Sequence, residues 1–412
     1  MTTPSTSTRP SAFEGPVDSA TYRRVLEAFT GILATEGNRV AVLRNGVEIF
    51  PAMLEAVERA ERTVDFMTYI YWTGEITGRF AVALADRARA GVRVRVLLDA
   101  FGTRQMDDRL VDDLCGAGAV VEKFRPATSF KPWRWNMRTH RRVLVCDDTV
   151  AFTGGAGISE EWMGDADRPE HWRDTHYAVE GPAVDAIHAA FTSDWLEVPQ
   201  PVFDGADRFP EHRAVGSVPL QVVRAASQPG WNDAALTIRA LIALARERIR
   251  ITSAYFRPPR HFLDLLYEAV ERGVTVEVLV PGPHAEPVVA RWAAEYYYQE
   301  LLAHGVTIWS YQPTMHHGKI VTVDGTVALV GTSNFDARSL AINEQIGLVI
   351  HDADITATLD EHFAQDCAAS ERIDPESWDR RGWGRRGREA VAHIGTFAPR
   401  GGGAARRGGL FG

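Results

Sequence analysis

The sequence is poor in cysteine. Three cysteines occur in 412 residues, far apart and without a Cys-x-x-Cys pair, so neither a disulfide framework nor a cysteine zinc site is expected and a reducing compartment is favoured. No uncharged apolar run approaches the ~18 residues that a membrane span needs. The start, MTTPSTSTRPSAFEGP, lacks the apolar core of a signal peptide and predicts a disordered lead-in over 1–20. These absences favour a soluble, cytoplasmic protein.

The sequence also lacks an excess of positive charge. Its net charge is -9 at pH 7, whereas proteins that bind nucleic acid over much of their surface usually carry a dominant basic field. No obligatory nucleic-acid partner is therefore expected, although a local basic patch is allowed. No cluster of Asp, His or Cys has metal-ligand spacing, which predicts a site without metal.

What the chain does have is an internal repeat. In the first half AVERAERTVDFMTYIYW is followed by ALADRARAGVRVRVLLD, and in the second ALARERIRITSAYFRPP is followed by LLYEAVERGVTVEVLVPG. Each pair predicts helix, strand, helix, turn and strand, with Gly91 and Gly273 where a helix end favours a left-handed residue. Strands that alternate with helices predict an α/β sheet with helices on its faces.

Composition sets the expected domain boundaries. The stretch EVPQPVFDGADRFPEHRAVGSVP is rich in proline, glycine and charge and has no hydrophobic period, which predicts a linker. After about Asp379 the chain is rich in arginine and glycine and is expected not to pack. The predicted organisation is a first domain over 21–200, a linker over 201–216, a second domain over 217–379 and a basic tail over 380–412.

The second half contains a hairpin that begins with a histidine. HGKIVTVDGTVALVG predicts a strand, an Asp-Gly turn and a return strand. Side chains two apart on a strand share a face, so His317 and Lys319 point the same way. Asp324 lies at the turn, where its first role is to form that turn. The following GTSN supplies the Ser333 hydroxyl and the Asn334 amide, beside which an anion can bind.

The first half repeats this outline in HRRVLVCDDTVAFTGGAG. His140, Arg142 and Asp147 have the same spacing, with arginine in place of lysine, and Gly157 stands where the second copy has Asn334. One such motif is a weak signal, because a strand histidine is more often structural. Two copies at the same place in a repeat indicate function, since halves packed about a pseudo-twofold axis would bring both histidine faces to one cleft.

This duplicated pattern, H-x-K-x4-D followed by G-x-x-N, resembles the phospholipase D superfamily, and most of all bacterial cardiolipin synthases. Supporting stretches include LRNGVEIFPAMLEAVERA, WRDTHYAVEGPAV and GTSNFDARSLAINEQIGLVI, and the resemblance covers about residues 40–379. It implies two repeated phospholipase D-like domains, each a mixed β-sheet flanked by helices, with the active site at the pseudo-twofold interface. Arg142 and Gly157 depart from the pattern, and the N-terminal membrane segments of many such synthases are absent.

The resemblance implies that one histidine forms a phosphohistidine while the other protonates the leaving group and then activates the incoming alcohol. We assign His140 as nucleophile and His317 as acid/base. No metal or other cofactor is expected, because side chains would hold the phosphoryl oxygens. The candidates for that role are Arg142, Lys319, Ser333 and Asn334.

Each histidine needs an orienting carboxylate. Asp174 in WRDTH and Glu344 in INEQ fall at corresponding places after the two hairpins and are the candidates. The alternative for each is an ordinary surface or strand-edge acid. Asp147 and Asp324 are expected to support the site mainly as turn residues.

Two segments suggest lipid access. SFKPWRWNMR, just before His140, interleaves Phe130, Trp133 and Trp135 with cations that include Arg138, which suits a headgroup interface. The tail has eight arginines against one glutamate and could bind an anionic leaflet, although a solvated tail is the alternative. We expect an anionic phospholipid substrate and peripheral contact with the inner face of the cell membrane. No protein partner is evident.

The sequence is compatible with three functions. The leading one is a phosphatidyltransferase of cardiolipin synthase type, which converts two phosphatidylglycerols to cardiolipin and glycerol. The second is a hydrolase of the same chemistry, either a phospholipase D or a nuclease, with water as acceptor. The third is a lipid-binding scaffold whose first motif has decayed, against which the presence of both His140 and His317 argues.

Overall fold

The computed structural model describes residues 17–126, 137–203, 205, 208–225 and 232–397. The strands of the first half are β1 (Thr35–Arg44), β2 (Thr63–Thr68), β3 (Arg93–Asp99), β4 (Val120–Phe124), β5 (Val143–Cys146), β6 (Val150–Gly154) and β7 (Thr175–Glu180). Those of the second half are β8 (Val218–Ala225), β9 (Arg248–Ser253), β10 (Thr275–Pro281), β11 (Thr307–Tyr311), β12 (Lys319–Val323), β13 (Val327–Gly331), β14 (Gln345–Ile350) and β15 (Ser370–Arg372).

The helices lie between these strands and after them. In the first half they are α1 (Ser19–Thr30), α2 (Asn45–Arg59), α3 (Glu75–Arg89), α4 (Asp108–Gly116) and α5 (Ala183–Trp195). In the second they are α6 (Asp233–Leu244), α7 (Arg260–Glu271), α8 (Val288–Ala303), α9 (Ala353–Ala368), α10 (Pro375–Asp379) and α11 (Trp383–Phe397).

The described strands form one continuous sheet whose order shows the repeat. The order is β15-β11-β10-β9-β12-β13-β14-β8-β1-β7-β6-β5-β2-β3-β4. Outward from the β8–β1 junction, β14, β13, β12, β9, β10 and β11 match β7, β6, β5, β2, β3 and β4. In each half three strands are parallel and the others antiparallel. The predicted class, a repeated mixed α/β sheet, is confirmed.

The two halves share a central core as well as a sheet. β1 pairs with β8 at Thr35–Leu220 and Asn38–Val218, with a register shift between the two pairs. Apolar side chains from both halves meet beneath the junction, among them Val179 of β7, Leu348 of β14 and residues of α5. Because both halves bury surface here, their relative position is held by packing as well as by backbone hydrogen bonds.

Glycine at the two predicted helix ends has the predicted conformation. Gly91 and Gly273 have φ of 90° and 89°, in the left-handed region that favours glycine. Strands β3 and β10 follow, and both are buried along nearly their whole length because helices cover both faces. This part of the repeat was predictable from sequence.

The two ends of the chain differ from expectation. α1 begins at Ser19 after an Asp18 cap, and Val17 is already buried, so the predicted disordered lead-in over 1–20 extends too far.

The prediction that the chain after Asp379 does not pack is wrong for α11. Glu389 of α11 is buried and accepts ion pairs from arginines nearby in the chain, so local charge neutralisation allows an arginine-rich segment to pack. Residues 398–412 of the predicted tail lie outside the described residues.

The predicted linker over 201–216 packs on the first half where it is described. Arg208 is buried, and its guanidinium lies 3.0 Å from the Asp65 carboxylate. Phe209 stacks on His188 with ring centroids 4.6 Å apart. The domain boundaries themselves remain a prediction. Within the described residues, none of the helices combines the length and apolar character needed to cross a bilayer.

Candidate active site

Backbone hydrogen bonds exchanged between the halves bring the two motif histidines to the interface. The N–H of His317 donates to the carbonyl of Arg173 at 2.7 Å, just before β7. In the same way the N–H of His140 donates to the carbonyl of Glu344 at 2.9 Å, just before β14. Each histidine is thus anchored to the other half by the segment that carries its predicted carboxylate, and the pseudo-twofold arrangement expected from the repeat is present.

His317 is held by a buried carboxylate from the other half. Its Nδ1 lies 2.7 Å from Oδ2 of Asp174, which also accepts a 2.8 Å hydrogen bond from the indole N–H of Trp162. Burial opposes ionisation of Asp174, but Lys319 and His317 hold the pKa of its carboxyl well below the usual range. The rings of Trp162 and Trp172 lie 5.2 and 5.4 Å from the His317 ring, which fixes the plane of the imidazole.

His140 has a different environment. Its ring stacks on Tyr69 with centroids 3.9 Å apart. Burial, together with the positive charges of Arg142 and Arg338, lowers its pKa well below the ordinary value. The imidazole is therefore neutral at pH 7, and one ring nitrogen carries a free lone pair.

Glu344 does not take the place that Asp174 takes. Its carboxylate lies 3.2 Å from Arg125 and 3.5 Å from Arg141, so its connection to His140 runs through the backbone. The expectation that both carboxylates orient a histidine is therefore wrong for the Glu344 side chain. The neighbouring arginines, which sequence spacing did not reveal, attract it away from the imidazole.

The two motif cations occupy equivalent positions. Nη1 of Arg142 donates to the carbonyl of His140 at 3.1 Å, and Nζ of Lys319 contacts the carbonyl of His317. Nζ of Lys319 also lies within 3.2 Å of both ring nitrogens of His317. Burial and then Arg142 lower the pKa of Lys319 to about 7, and burial and Lys319 lower that of His317 to about 3. The site therefore concentrates cations in a poorly solvated space, which favours an anionic ligand.

Several buried polar atoms of the motif residues have no hydrogen-bond partner among the residues that the structure describes. They include Nε of Arg142, Oγ of Ser333 and Oδ1 of Asn334. Buried polar groups are almost always paired in a folded protein, so unpaired atoms on the motif residues are candidates for contacts with a ligand. Phosphate binding by Arg142, Lys319, Ser333 and Asn334 stays a prediction.

Gly157 occupies the position at which the second motif has Asn334, and the reason is steric. A Cβ at this position would lie 2.7 Å from Cβ of Ile70 and 3.2 Å from Cζ3 of Trp162. The asparagine of the second copy therefore has no room in the first. Ile70 makes the closest contact, and Trp162, which borders the same space, donates a hydrogen bond to Asp174.

Asp147 and Asp324 lie at the far ends of the hairpins from the histidines. Asp147 accepts from the N–H groups of Glu61, Arg62 and Thr63 at 2.7 to 2.8 Å. Asp324 accepts from three consecutive N–H groups, of Arg246, Glu247 and Arg248, at 2.8 to 2.9 Å. Each aspartate therefore fastens its turn to the start of β2 or β9. Their turn role is the one the geometry supports, and they do not reach the histidines.

Sequence reasoning missed the aromatic walls of the site. Tyr69 and Trp162 carry no spacing signal, whereas Trp172 stands in the WRDTH stretch that contains Asp174. The expected headgroup segment falls partly on residues 127–136, outside the described residues, and Phe130, Trp133 and Trp135 are among them. Arg138, counted there as an interface cation, is instead buried 3.0 Å from the Asp99 carboxylate.

Within the described residues no group of three or more His, Cys, Asp or Glu side chains is placed to hold a metal ion. Among the described residues, Arg142, Lys319 and Arg338 supply positive charge around His140. Catalysis without metal stays a prediction.

Comparison with known proteins identifies the family. A family model described as "Cardiolipin synthase, PLD-like domain" matches residues 238–367. The probable cardiolipin synthase YwiE of Bacillus subtilis is 30% identical over 360 residues, which cover 87% of this chain and 71% of that protein. The major cardiolipin synthase ClsA of the same organism is 30% identical over 364 residues, covering 87% and 75%. The chain belongs to the phospholipase D-like cardiolipin synthase family. The resemblance inferred from the motifs is confirmed.

A solved structure shares the architecture of this family member. The crystal structure of phosphatidylserine synthase from Haemophilus influenzae Rd KW20 aligns with a TM-score of 0.65 over 91% of this chain and 98% of that one. Sequence identity is 14%, so the alignment shows the fold alone.

Proposed function

We propose that the protein is a phosphatidyltransferase of cardiolipin synthase type, which converts two phosphatidylglycerols to cardiolipin and glycerol through a phosphohistidine. The cardiolipin synthase names of relatives at 30% identity support the reaction. The observation that carries the proposal is the convergence of His140 and His317 on one cluster of buried cations. Exchange at a phosphodiester needs a nucleophile, an acid for the leaving alkoxide and positive charge beside the non-bridging oxygens, and two imidazoles among buried cations can supply all three.

The unequal surroundings of the histidines support unequal roles. Asp174 fixes the Nδ1–H of His317 and leaves Nε2 to give and take a proton, as in other carboxylate-histidine pairs. His140 is neutral, and among the described residues no carboxylate contacts its ring, so its lone pair can attack phosphorus. We therefore assign His140 as nucleophile and His317 as acid/base.

The first half-reaction forms the intermediate. The phosphate of one phosphatidylglycerol binds between Arg142 and Lys319, with Ser333 and Asn334 as further partners, and its negative charge raises the pKa of His317. A ring nitrogen of His140 forms a bond to phosphorus as the bond from phosphorus to the glycerol oxygen breaks. Nε2 of His317 donates its proton to that oxygen, and glycerol leaves.

The second half-reaction reverses the proton path. The terminal hydroxyl of a second phosphatidylglycerol gives its proton to Nε2 of His317 as its oxygen attacks phosphorus. The phosphorus–nitrogen bond breaks, His140 is regenerated, and cardiolipin is released. Water in place of the alcohol would give phosphatidic acid. His317 and Lys319 are each only 5% exposed, which supports transfer over hydrolysis because little bulk water reaches them.

The direct test uses vesicles that contain phosphatidylglycerol, with mass analysis of the products. Cardiolipin and glycerol support the proposal, phosphatidic acid alone would establish the hydrolase, and no product from any phosphodiester would favour the scaffold. A peripheral position at the inner face of the cell membrane is part of the proposal.

Substrates with different leaving groups distinguish the role of His140 from that of His317. An aryl phosphodiester has a good leaving group and needs no acid, so His317→Asn should retain far more activity on it than on phosphatidylglycerol. His140→Asn should lose both activities. Phosphate trapped on His317 rather than His140 after rapid acid-free quench would reverse the assignment.

A further inference from the structure

Within the part of the chain that the structure describes, the C-terminal helix α11 packs on α8 through one face. Ala392 and Glu389 are buried in this contact, and Arg385 pairs with Glu295 of α8 at 3.2 Å. The ring of His393 stacks on Tyr296 of α8 with centroids 4.0 Å apart. Since Glu389 and Glu295 are neutralised inside the contact, the other face of α11 is left without acidic side chains.

That outer face is apolar and exposed. Trp383, Gly387, Val391 and Ile394 follow one another at intervals of four, four and three residues, so they lie along one side of the helix. The exposed fractions of Trp383, Val391 and Ile394 are 90%, 71% and 70%. Three large apolar side chains this exposed on one helix face form a patch that folding does not explain.

Arginines border the patch. By helical spacing Arg386 and Arg388 lie on its two sides. Arg386 lies 3.4 Å from the exposed carboxylate of Asp379, and the guanidinium of Arg388 lies 4.6 Å from the ring of Trp292 on α8. An apolar stripe with tryptophan, edged by cations, has the chemistry of a helix that lies in the plane of an anionic bilayer surface. The remainder of the protein, which gives the chain a net charge of -9, would be repelled by that surface, so this element would set the orientation.

The patch is connected to the candidate active site through α8. The Tyr255 ring meets the edge of His317 with centroids 6.3 Å apart, and its hydroxyl donates to the carbonyl of Glu286 at 2.9 Å. α8 begins two residues after Glu286, and its first turns carry Trp292, against which Arg388 packs. α11 therefore lies on the helix that starts beside the second histidine.

We propose that the outer face of α11 docks on an anionic phospholipid surface and holds the enzyme there while it draws substrate from the bilayer. The claim of docking stands on the helix alone, and the claim about substrate rests on the proposed function. Burial of three apolar side chains, together with attraction of the arginines, supplies the binding free energy.

The test is flotation of the full chain with vesicles of equal parts phosphatidylglycerol and phosphatidylcholine. The triple variant Trp383→Ser, Val391→Ser, Ile394→Ser should partition at least about tenfold more weakly than wild type, since three exposed apolar side chains no longer enter the interface. Arg386→Gln should weaken binding at low salt and have little effect at high salt. A matched control removes three exposed apolar side chains elsewhere, Phe29→Ser, Leu33→Ser and Val82→Ser, and should bind as wild type does.

Two further measurements keep the outcomes distinct. The triple variant and wild type should cleave a short soluble phosphodiester at equal rates. If neither cleaves it while wild type still floats with the vesicles, the proposed function is wrong and the inference that α11 docks on lipid still stands. Unchanged flotation of the triple variant overturns the inference. If the same variant instead turns a dimer into a monomer in sedimentation, a second copy covers this face and the lipid proposal is wrong.

Discussion

Oδ2 of Asp174 lies 2.7 Å from Nδ1 of His317, although the two residues belong to different halves of the chain. The equivalent acid of the other half, Glu344, contacts Arg125 and Arg141 instead. The sheet is pseudo-symmetric, but the two carboxylates are used differently. This asymmetry leads to the first prediction.

Asp174→Asn should lower turnover of phosphatidylglycerol by about 10²–10⁴-fold, because the amide no longer holds the required tautomer of His317. Asp174 also raises the pKa of His317, so the residual activity should have its optimum at lower pH. Steady-state rates across a pH series measure both effects. Glu344→Gln is the matched control and should lower the melting temperature without moving the pH optimum. A shift of the optimum in Glu344→Gln alone would exchange the two roles.

A second prediction concerns the hairpin ends. Asp324 accepts from three consecutive backbone N–H groups and has φ of 52°. Asp324→Ala should destabilise the protein by about 2 kcal/mol or more, because three backbone N–H donors lose their acceptor and alanine disfavours positive φ. Asp324→Asn keeps one oxygen and tolerates this φ, so its effect should be smaller. Denaturant melts measure the difference.

The same substitutions test whether the turn aspartates take part in chemistry. Turnover per folded molecule of Asp324→Ala, measured well below its melting temperature, should equal that of wild type. The equivalent Asp147→Ala should behave alike, since Asp147 binds the start of β2 in the same manner. If a stable Asp324→Asn variant selectively lost turnover, Asp324 would have a role in the reaction as well as in the turn.

The sequence predicted the repeat well because each strand and helix end has a local signal, such as Gly91 before β3. It also predicted His140, His317, Arg142 and Lys319 as one site, because duplication carried information that one motif lacks. It could not place the Glu344 carboxylate, whose position depends on Arg125, far away in the chain. Packing of α11 was missed for the same reason, since Glu295 on α8 is a tertiary partner.

The third prediction follows from Gly157. Sequence comparison of the two motifs suggests that Arg142→Lys together with Gly157→Asn would restore the usual pair and recover activity. The structure overturns this expectation, because even a Cβ at Gly157 would lie 2.7 Å from Cβ of Ile70. Gly157→Ala should lower the melting temperature, and Gly157→Asn should not rescue Arg142→Lys.

Gly78 provides the control for this steric effect. It lies within α3 with no atom within 4 Å of the position of an added Cβ. Gly78→Ala should therefore stabilise the protein by about 0.5–1 kcal/mol through helix propensity. Thermal melts of the two alanine variants should move in opposite directions. Equal, small shifts would mean that the Gly157 loop relaxes and that its glycine is not required.

The last prediction concerns the buried charge of Lys319. Lys319 is buried beside Arg142, and its pKa is lowered from 10.5 to about 7. Below about pH 7 the lysine is charged in both folded and unfolded protein, so the full cost of burying that charge is present. Between about pH 7 and 10.5 the folded protein loses the proton first, and stability should rise with pH.

Lys319→Met should abolish this rise and, at neutral pH, increase the melting temperature of the ligand-free protein by about 2 °C or more. Inorganic phosphate should stabilise wild type more than the variant, and phosphatidyl transfer by the variant should fall at least about 10²-fold. If Lys319→Met instead has a lower melting temperature than wild type at neutral pH, the lysine stabilises the fold. Burial of its charge would then not be a cost that phosphate binding offsets.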